Sequence, residues 1–261
     1  KFMEINAFLI KKFSDSKSLR KLKTDKKDAK LISEYIRTVD FKAYHLQSYH
    51  IKKLKSLTRY RSRLVSIRTS LYNQLTKSVD VVFPEYKPFM REQGYSTTSL
   101  YLLGKYSTPS KIKSLNSKVY ETIRKLSMGK FSFVKFTKLK ELAKNSIGTQ
   151  DDGNIYIIKN NIKLIKTFNS LINNVEHNIF KIMKQFPTYI QTINGIGLLS
   201  AAIIIAEFGD ISRFSRSSKM VSYAGLDSSI SQSGTSESVG KLVKRGSKYL
   251  RATLINVCMT V

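Results

Sequence analysis

Residues 57–71 read LTRYRSRLVSIRTSL. Leu57, Tyr60, Leu64, Ile67 and Leu71 recur at alternating spacings of three and four, the period of a helix that lays one apolar stripe against another helix. The stretch sits inside residues 41–79, which hold no Asp or Glu and nine Lys or Arg: Lys42, Lys52, Lys53, Lys55, Arg59, Arg61, Arg63, Arg68 and Lys77. One long helix with a basic exterior accounts for both features. A second stripe, Ile165, Phe168, Ile172, Val175, Ile179 and Ile182, repeats the spacing. The two stripes suit each other either as an antiparallel hairpin within the chain or between subunits, which points to a homo-oligomer, a dimer or higher.

The rest of the 261 residues agrees with a globular protein, since 41% are apolar and 11% aromatic. With 46 Lys and Arg against 18 Asp and Glu, the formal charge is +28, which calls for a polyanionic partner. Nucleic acid is the leading class and an anionic membrane surface the second. The most apolar run, residues 198–206, is too short to span a bilayer, and no secretory signal is visible. One cysteine, Cys258, excludes a disulfide framework and a multi-cysteine zinc site, so a reducing cytoplasm is expected.

Residues 2–10 (FMEINAFLI) read as a short buried strand, and residues 25–37 as a helix with Leu31, Ile32, Tyr35 and Ile36 inward. Further helices are expected at 97–106, 111–127 and 133–146, separated by turns at Pro109, Gly129 and Gly148. After Pro187 the character changes. Residues 192–210 (TINGIGLLSAAIIIAEFGD) are glycine-punctuated and then apolar. Residues 227–238 (DSSISQSGTSES) hold six serines, and residues 241–251 (KLVKRGSKYLR) close on a basic note. The expected division is 1–40, 41–186 and 187–261.

Three patterns carry chemistry. Around Gly195 and Gly197 the sequence resembles a helix-hairpin-helix turn, whose free amides grip a phosphate without reading bases; an ordinary αα-hairpin needing two glycines fits as well. Ser233, in Gln232-Ser233-Gly234, precedes Lys241, Lys244, Arg245 and Lys248, cations suited to a phosphoryl centre, but no histidine follows His177, and a flexible linker explains the same composition. Asp25 and Asp28 in KTDKKDAK (23–30) share a helix face. They fit a solvated first turn as readily as a share of a divalent-metal site.

Taken together, these blocks resemble the DEDD-type transposases of bacterial insertion sequences, a family that includes the Piv-type DNA invertases. The resemblance rests on Ile193-Asn194-Gly195-Ile196-Gly197, Ala206-Glu207-Phe208-Gly209-Asp210 with Arg213-Phe214, Ser222-Tyr223-Ala224-Gly225-Leu226, Gln232-Ser233-Gly234 and Lys244-Arg245-Gly246 with Leu250-Arg251, in that order. Residues 23–29 match the end of the family's RuvC-like, RNase H-fold domain. Asn194 and Ser228 stand where that family commonly has proline. The resemblance implies a mainly α fold: a remnant of an RNase H-like α/β domain, a long helical hairpin of coiled-coil type, and a C-terminal α-helical domain containing a helix-hairpin-helix. It implies DNA cleavage and strand transfer through a phosphoserine at Ser233, with Mg²⁺ held in part by Asp25 and Asp28. DNA is the expected partner, held by Gly195, Gly197, Lys241, Lys244, Arg245, Lys248 and Arg251, with a structured guide RNA as a further one. It also implies a chain truncated at both ends, whose first two acids would precede Lys1 and which is inactive alone. The alternative from the residues themselves is a non-catalytic nucleic-acid-binding helical protein; a partner-binding coiled coil is the third reading.

Overall fold

The structure, a computed structural model, describes residues 5, 7–17, 24–38, 49–90, 95–186, 188–233 and 236–260. It divides into two compact units, Lys1–Ser48 and Tyr49–Val261.

In the first unit, helices α1 (Ala7–Lys17) and α2 (Asp25–Thr38) pair. Phe13 meets Tyr35 edge to face at 5.3 Å, and the Lys17 ammonium bonds Glu34. The strand expected at 2–10 is not formed over 7–10, which open α1 instead; residues 2–4 and 6 lie outside the described residues. Helical spacing explains this, because Ile10 and Phe13, three apart, are the half-buried positions while Phe8 and Leu9 stay exposed. On α2, Leu31 and Tyr35 turn inward as expected, whereas Ile32 and Ile36 are exposed. Neither helix contains a fully buried residue.

The second unit is organised by α3 (Tyr49–Val82) and α9 (Asp152–Met183). Arg61 bonds Glu176 and Arg68 bonds Asn169, so residue numbers rise along one helix as they fall along the other, and the pair is antiparallel within one chain. The stripe expected on α9 faces the partner: Ile165, Ile172, Val175, Ile179 and Ile182 are buried and Phe168 half-buried. On α3 the seam is rotated from the expected one. Leu64 and Leu71 are buried and Leu57 half-buried, but Tyr60 and Ile67 are each 47% exposed. Their places are taken by the line Leu54, Arg61, Arg68, Leu75 and Val82, seven apart. Two arginines thus sit in a mainly apolar seam, and each bonds a side chain of α9. Apolarity alone selected the wrong flank.

Toward the far end of the hairpin pack α5 (Thr97–Lys105), α6 (Pro109–Lys113), α7 (Ser117–Leu126) and α8 (Phe133–Lys144), around Leu102, Ile112, Ile123 and Leu139. The single helix expected over 111–127 is broken, because Asn116 accepts from the Val119 amide and starts a new one, while Pro109 opens α6 behind the Thr108 cap. A short helix, α4 (Tyr86–Phe89), buries Tyr86, whose phenol oxygen lies 2.9 Å from Ser99 Oγ; burial pushes its pKa up. Gly148 passes so close to α3 that a Cβ there would stand 2.1 Å from the Val82 carbonyl oxygen.

At the other end of the hairpin, α10 (Leu198–Phe208) packs on α3, α9 and α12 (Lys248–Cys258), with Ala201, Ala202 and Ala206 permitting close approach. Helix α11 (Ser217–Ala224) and an antiparallel hairpin of β1 (Ser228–Ser233) and β2 (Ser236–Leu242) complete the unit. The linker reading of the serine-rich stretch is thereby replaced by paired strands, in which Ile230 opposes Val239 and serines alternate between them. Residues 234–235 lie outside the described residues. Among the described residues no helix is long and apolar enough to cross a membrane.

Candidate functional site

Ser233 is the last residue of β1 and pairs with Ser236, so it stands at the tip of the hairpin. The base is where Ser228 pairs with Leu242, five residues earlier, with a bulge between Ser228 and Ile230. At a rise of about 3.3 Å per residue, tip and base are roughly 17 Å apart. Lys244 and Arg245 follow the base and Lys248 opens α12, so the cations expected to face Ser233 cluster at the opposite end of the hairpin. Only the backbone course is described at Lys241.

Two glycines that cross each other fix that base. Gly225 has φ +68°, and a Cβ on it would lie 2.5 Å from Arg251 Nη1 and 2.7 Å from the Gly246 nitrogen. A Cβ on Gly246 would lie 2.1 Å from the Tyr223 carbonyl oxygen. No side chain fits between the two strands of backbone. The Ser247 amide donates to Tyr223 O, the Val243 amide to Asp227 O, and Arg251 Nη1 to Ala224 O. Lys244 itself has φ +55°, a left-handed conformation uncommon outside glycine, held by the turn into α12. Gly225, Gly246 and Arg251 are thus first of all the steric and hydrogen-bonded clamp that carries the hairpin.

Behind the clamp lies Glu207, whose side chain is fully buried. Its carboxylate accepts from Arg59 Nε and Nη2 at 2.7 and 2.8 Å and from Ser247 Oγ at 2.9 Å, with Lys55 Nζ at 3.9 Å. Burial raises its pKa, but the hydrogen bonds from Arg59 and Ser247 outweigh burial, and the net shift is downward. The same contact holds Arg59 above its ordinary value. Ser247 also caps α12 by accepting from the Leu250 amide. One buried carboxylate therefore ties the basic helix α3 to the loop at the base of the serine hairpin. The Arg59 guanidinium also covers the Tyr249 ring at 5.2 Å, and that of Arg213 lies 4.6 Å from both Phe214 and Tyr223. From the sequence, Arg59 stood only among the basic residues of 41–79 and Glu207 only in the block 206–210, with no site role for either. An acid in an apolar, alanine-rich helix was the available signal, since burying one requires a cation.

At Gly195 the φ of +83° demands glycine, and Gly197 caps α10 with its α-carbon facing open space. Both are exposed, and the first amides of α10 are there for an anion. The limb before the turn is a 3₁₀ turn, Ile190–Thr192, where a helix-hairpin-helix would carry an α-helix. Nine residues between Pro187 and Gly197 do not accommodate a full helix and a turn.

Asp25 and Asp28 occupy the first turn of α2, on the first unit. Among the described residues neither takes part in an ion pair, and no group of three or more His, Cys, Asp or Glu side chains comes together. The donor type fits Mg²⁺, which takes one or two carboxylates and completes its shell with water and phosphate oxygens.

Two family models match the chain. One, described as "Transposase IS116/IS110/IS902 family", covers residues 188–261, and the DEDD-type IS110 model, described as "Transposase", covers residues 1–84. Residues 1–84 and 188–261 are thus similar to transposase domains of the IS110/IS116/IS902 kind. No curated protein matches it. One match spans the turn at Gly195, Glu207 and the Ser233 hairpin, and the other spans Asp25, Asp28 and all of α3. They support a DNA transposase and a DNA partner, and they name DEDD-type transposases rather than Piv-type invertases.

Proposed function

We propose that this protein cuts and rejoins DNA as a transposase, with Ser233 as nucleophile and Asp25 and Asp28 as part of its metal site. The observation that carries the proposal is the match of both ends of the chain to transposase models, with Ser233 set at the end of a strand whose hairpin base is clamped by Gly225 and Gly246. In the reaction the Ser233 oxygen forms a bond to phosphorus, one phosphorus–oxygen bond to a deoxyribose breaks, and the displaced sugar oxygen takes up a proton. A sugar hydroxyl of a second DNA end then attacks the phosphorus, its oxygen–phosphorus bond forms as the phosphorus–oxygen bond to Ser233 breaks, and the serine oxygen takes up the proton that the hydroxyl loses. Mg²⁺, when bound by Asp25 and Asp28, would polarise the phosphate and ease loss of the serine proton. Lys244, Arg245 and Lys248, at the hairpin base, suit a grip on the backbone away from the scissile phosphate, with Lys241, Arg251 and the Gly195/Gly197 turn as further contacts. A guide RNA and assembly into dimers or larger oligomers belong to the same reading.

The test is a covalent adduct. The protein, produced with any coding sequence directly upstream of Lys1, is incubated with Mg²⁺ and the DNA that flanks its gene, and products are resolved under denaturing conditions. The adduct is expected with the parent, absent with Ser233→Ala, and strongly reduced with Asp25→Asn or Asp28→Asn. An adduct that persists in Ser233→Ala refutes the assignment.

A further inference from the structure

Helices α3, α10 and α12 enclose an open groove of about 510 Å³. Its walls come from three stretches far apart in sequence: Arg61, Arg63 and Ser66 on α3, Ser200 on α10, and Lys248 and Asn256 on α12. Among the described residues no carboxylate lines it. Arg61 is engaged with Glu176 across the seam, but Arg63 is exposed and has no ion-pair partner among the described residues. The Lys248 ammonium lies 5.2 Å from the Tyr249 ring, which Arg59 also covers. Both cations are therefore held at the groove without being neutralised. Hydroxyls and an amide fill the spaces between them over an apolar floor of Leu199, Ile203 and Ala252.

We propose that this groove holds one strand of nucleic acid by its phosphodiester backbone, as a contact surface that lies apart from Ser233 and shares only Lys248 with the grip at the hairpin base. The proposal rests on the nucleic-acid reading given above. Arginine, lysine and neutral hydroxyl donors are the groups that bond phosphate and sugar. Packed helices stand about 8–10 Å apart, too narrow for a duplex whose major groove alone is about 12 Å wide. The Tyr249 ring is taken by cations, so it offers no stacking platform, and the grip is indifferent to base sequence. The hydroxyl lining serves deoxyribose and ribose strands alike.

The experiment is fluorescence anisotropy of the intact chain with a labelled mixed-sequence single-stranded DNA, its RNA equivalent and the DNA duplex, across a salt series. Arg63→Ala/Lys248→Ala is expected to weaken single-strand binding about tenfold and to reduce the salt slope by about 1.4, two contacts at about 0.7 each. Ser66→Trp, which fills the groove without changing the protein's charge, is expected to weaken the same strand and to lower the slope similarly, since a strand displaced from the groove gives up the Arg63 and Lys248 contacts. Whichever single strand binds more tightly to the parent and loses more in both variants identifies the occupant. Lys125→Ala/Lys138→Ala removes equal charge from exposed positions on α7 and α8 and is expected to have little effect. Equal loss in that control, or binding unchanged in both groove variants, overturns the groove while leaving nucleic-acid binding intact. Failure of the parent to bind any of the three oligonucleotides overturns the underlying reading as well.

Discussion

Replacing Glu207 by Gln removes one negative charge from a fully buried site and leaves the shape nearly unchanged. The carboxylate accepts two bonds from Arg59 and one from Ser247, and hydrogen bonds to a charged group contribute about 1.5–3 kcal/mol each. Stripping one partner from a buried ion pair costs about 3–5 kcal/mol. The Arg59 side chain, however, is 40% exposed and turns partly to water when its partner is lost. Gln also keeps one acceptor oxygen, while its amide must face either the guanidinium or the serine hydroxyl. The expected loss is therefore about 2–3 kcal/mol, below the full penalty. With a urea slope of about 2–3 kcal/mol/M the midpoint falls by about 1 M, read by circular dichroism at pH 7. The pH dependence has a fixed sign. Because the folded pKa of Glu207 is lowered, its contribution is complete above the ordinary glutamate value of about 4.3 and disappears as pH falls through the lower folded value. Parent and Gln variant should thus converge in stability as the solution is acidified below about pH 4. A Gln variant within about 0.5 kcal/mol of the parent at neutral pH, or a gap that does not close in acid, refutes this account of the network.

Other perturbations follow from the same packing. Gly246→Ala puts a methyl 2.1 Å from the Tyr223 carbonyl and should cost at least about 3 kcal/mol in thermal denaturation, with exchange of the Val243 and Ser247 amides accelerated first. Arg68→Leu/Asn169→Leu should raise the melting temperature, by about 1–2 kcal/mol in stability, because Arg68 Nε is buried without a partner while Asn169 takes only its Nη1. Asn116→Ala removes the cap of α7 and should lower stability by about 1 kcal/mol in the same assay.

Several features were legible along the chain because they depend on local period or local chemistry. The α9 stripe from Ile165 to Ile182 placed its residues correctly, since three-four spacing keeps them on one face, while Ile157, Leu164 and Leu171 fall outside it and stay exposed. Gly129 and Gly195 marked turns that need positive φ. On α3 the same method chose Tyr60 and Ile67 over Arg61 and Arg68. A long arginine reaches across a seam to bond Glu176 or Asn169, and those partners lie more than a hundred residues away. The serine-rich stretch read equally as linker or site because cross-strand pairing, which sets its register, is not a local property.

The sequence by itself determined that the protein is mainly helical, strongly basic and built on two long amphipathic stripes, because helix period and net charge are sums over neighbouring residues. Only the tertiary structure decided that the stripes close within one chain, that Arg59 and Ser247 meet on Glu207, and that Gly225 and Gly246 cross at the base of the Ser233 hairpin. Those are contacts between segments distant along the chain, fixed by the need to pair a buried charge and to fill space without overlap.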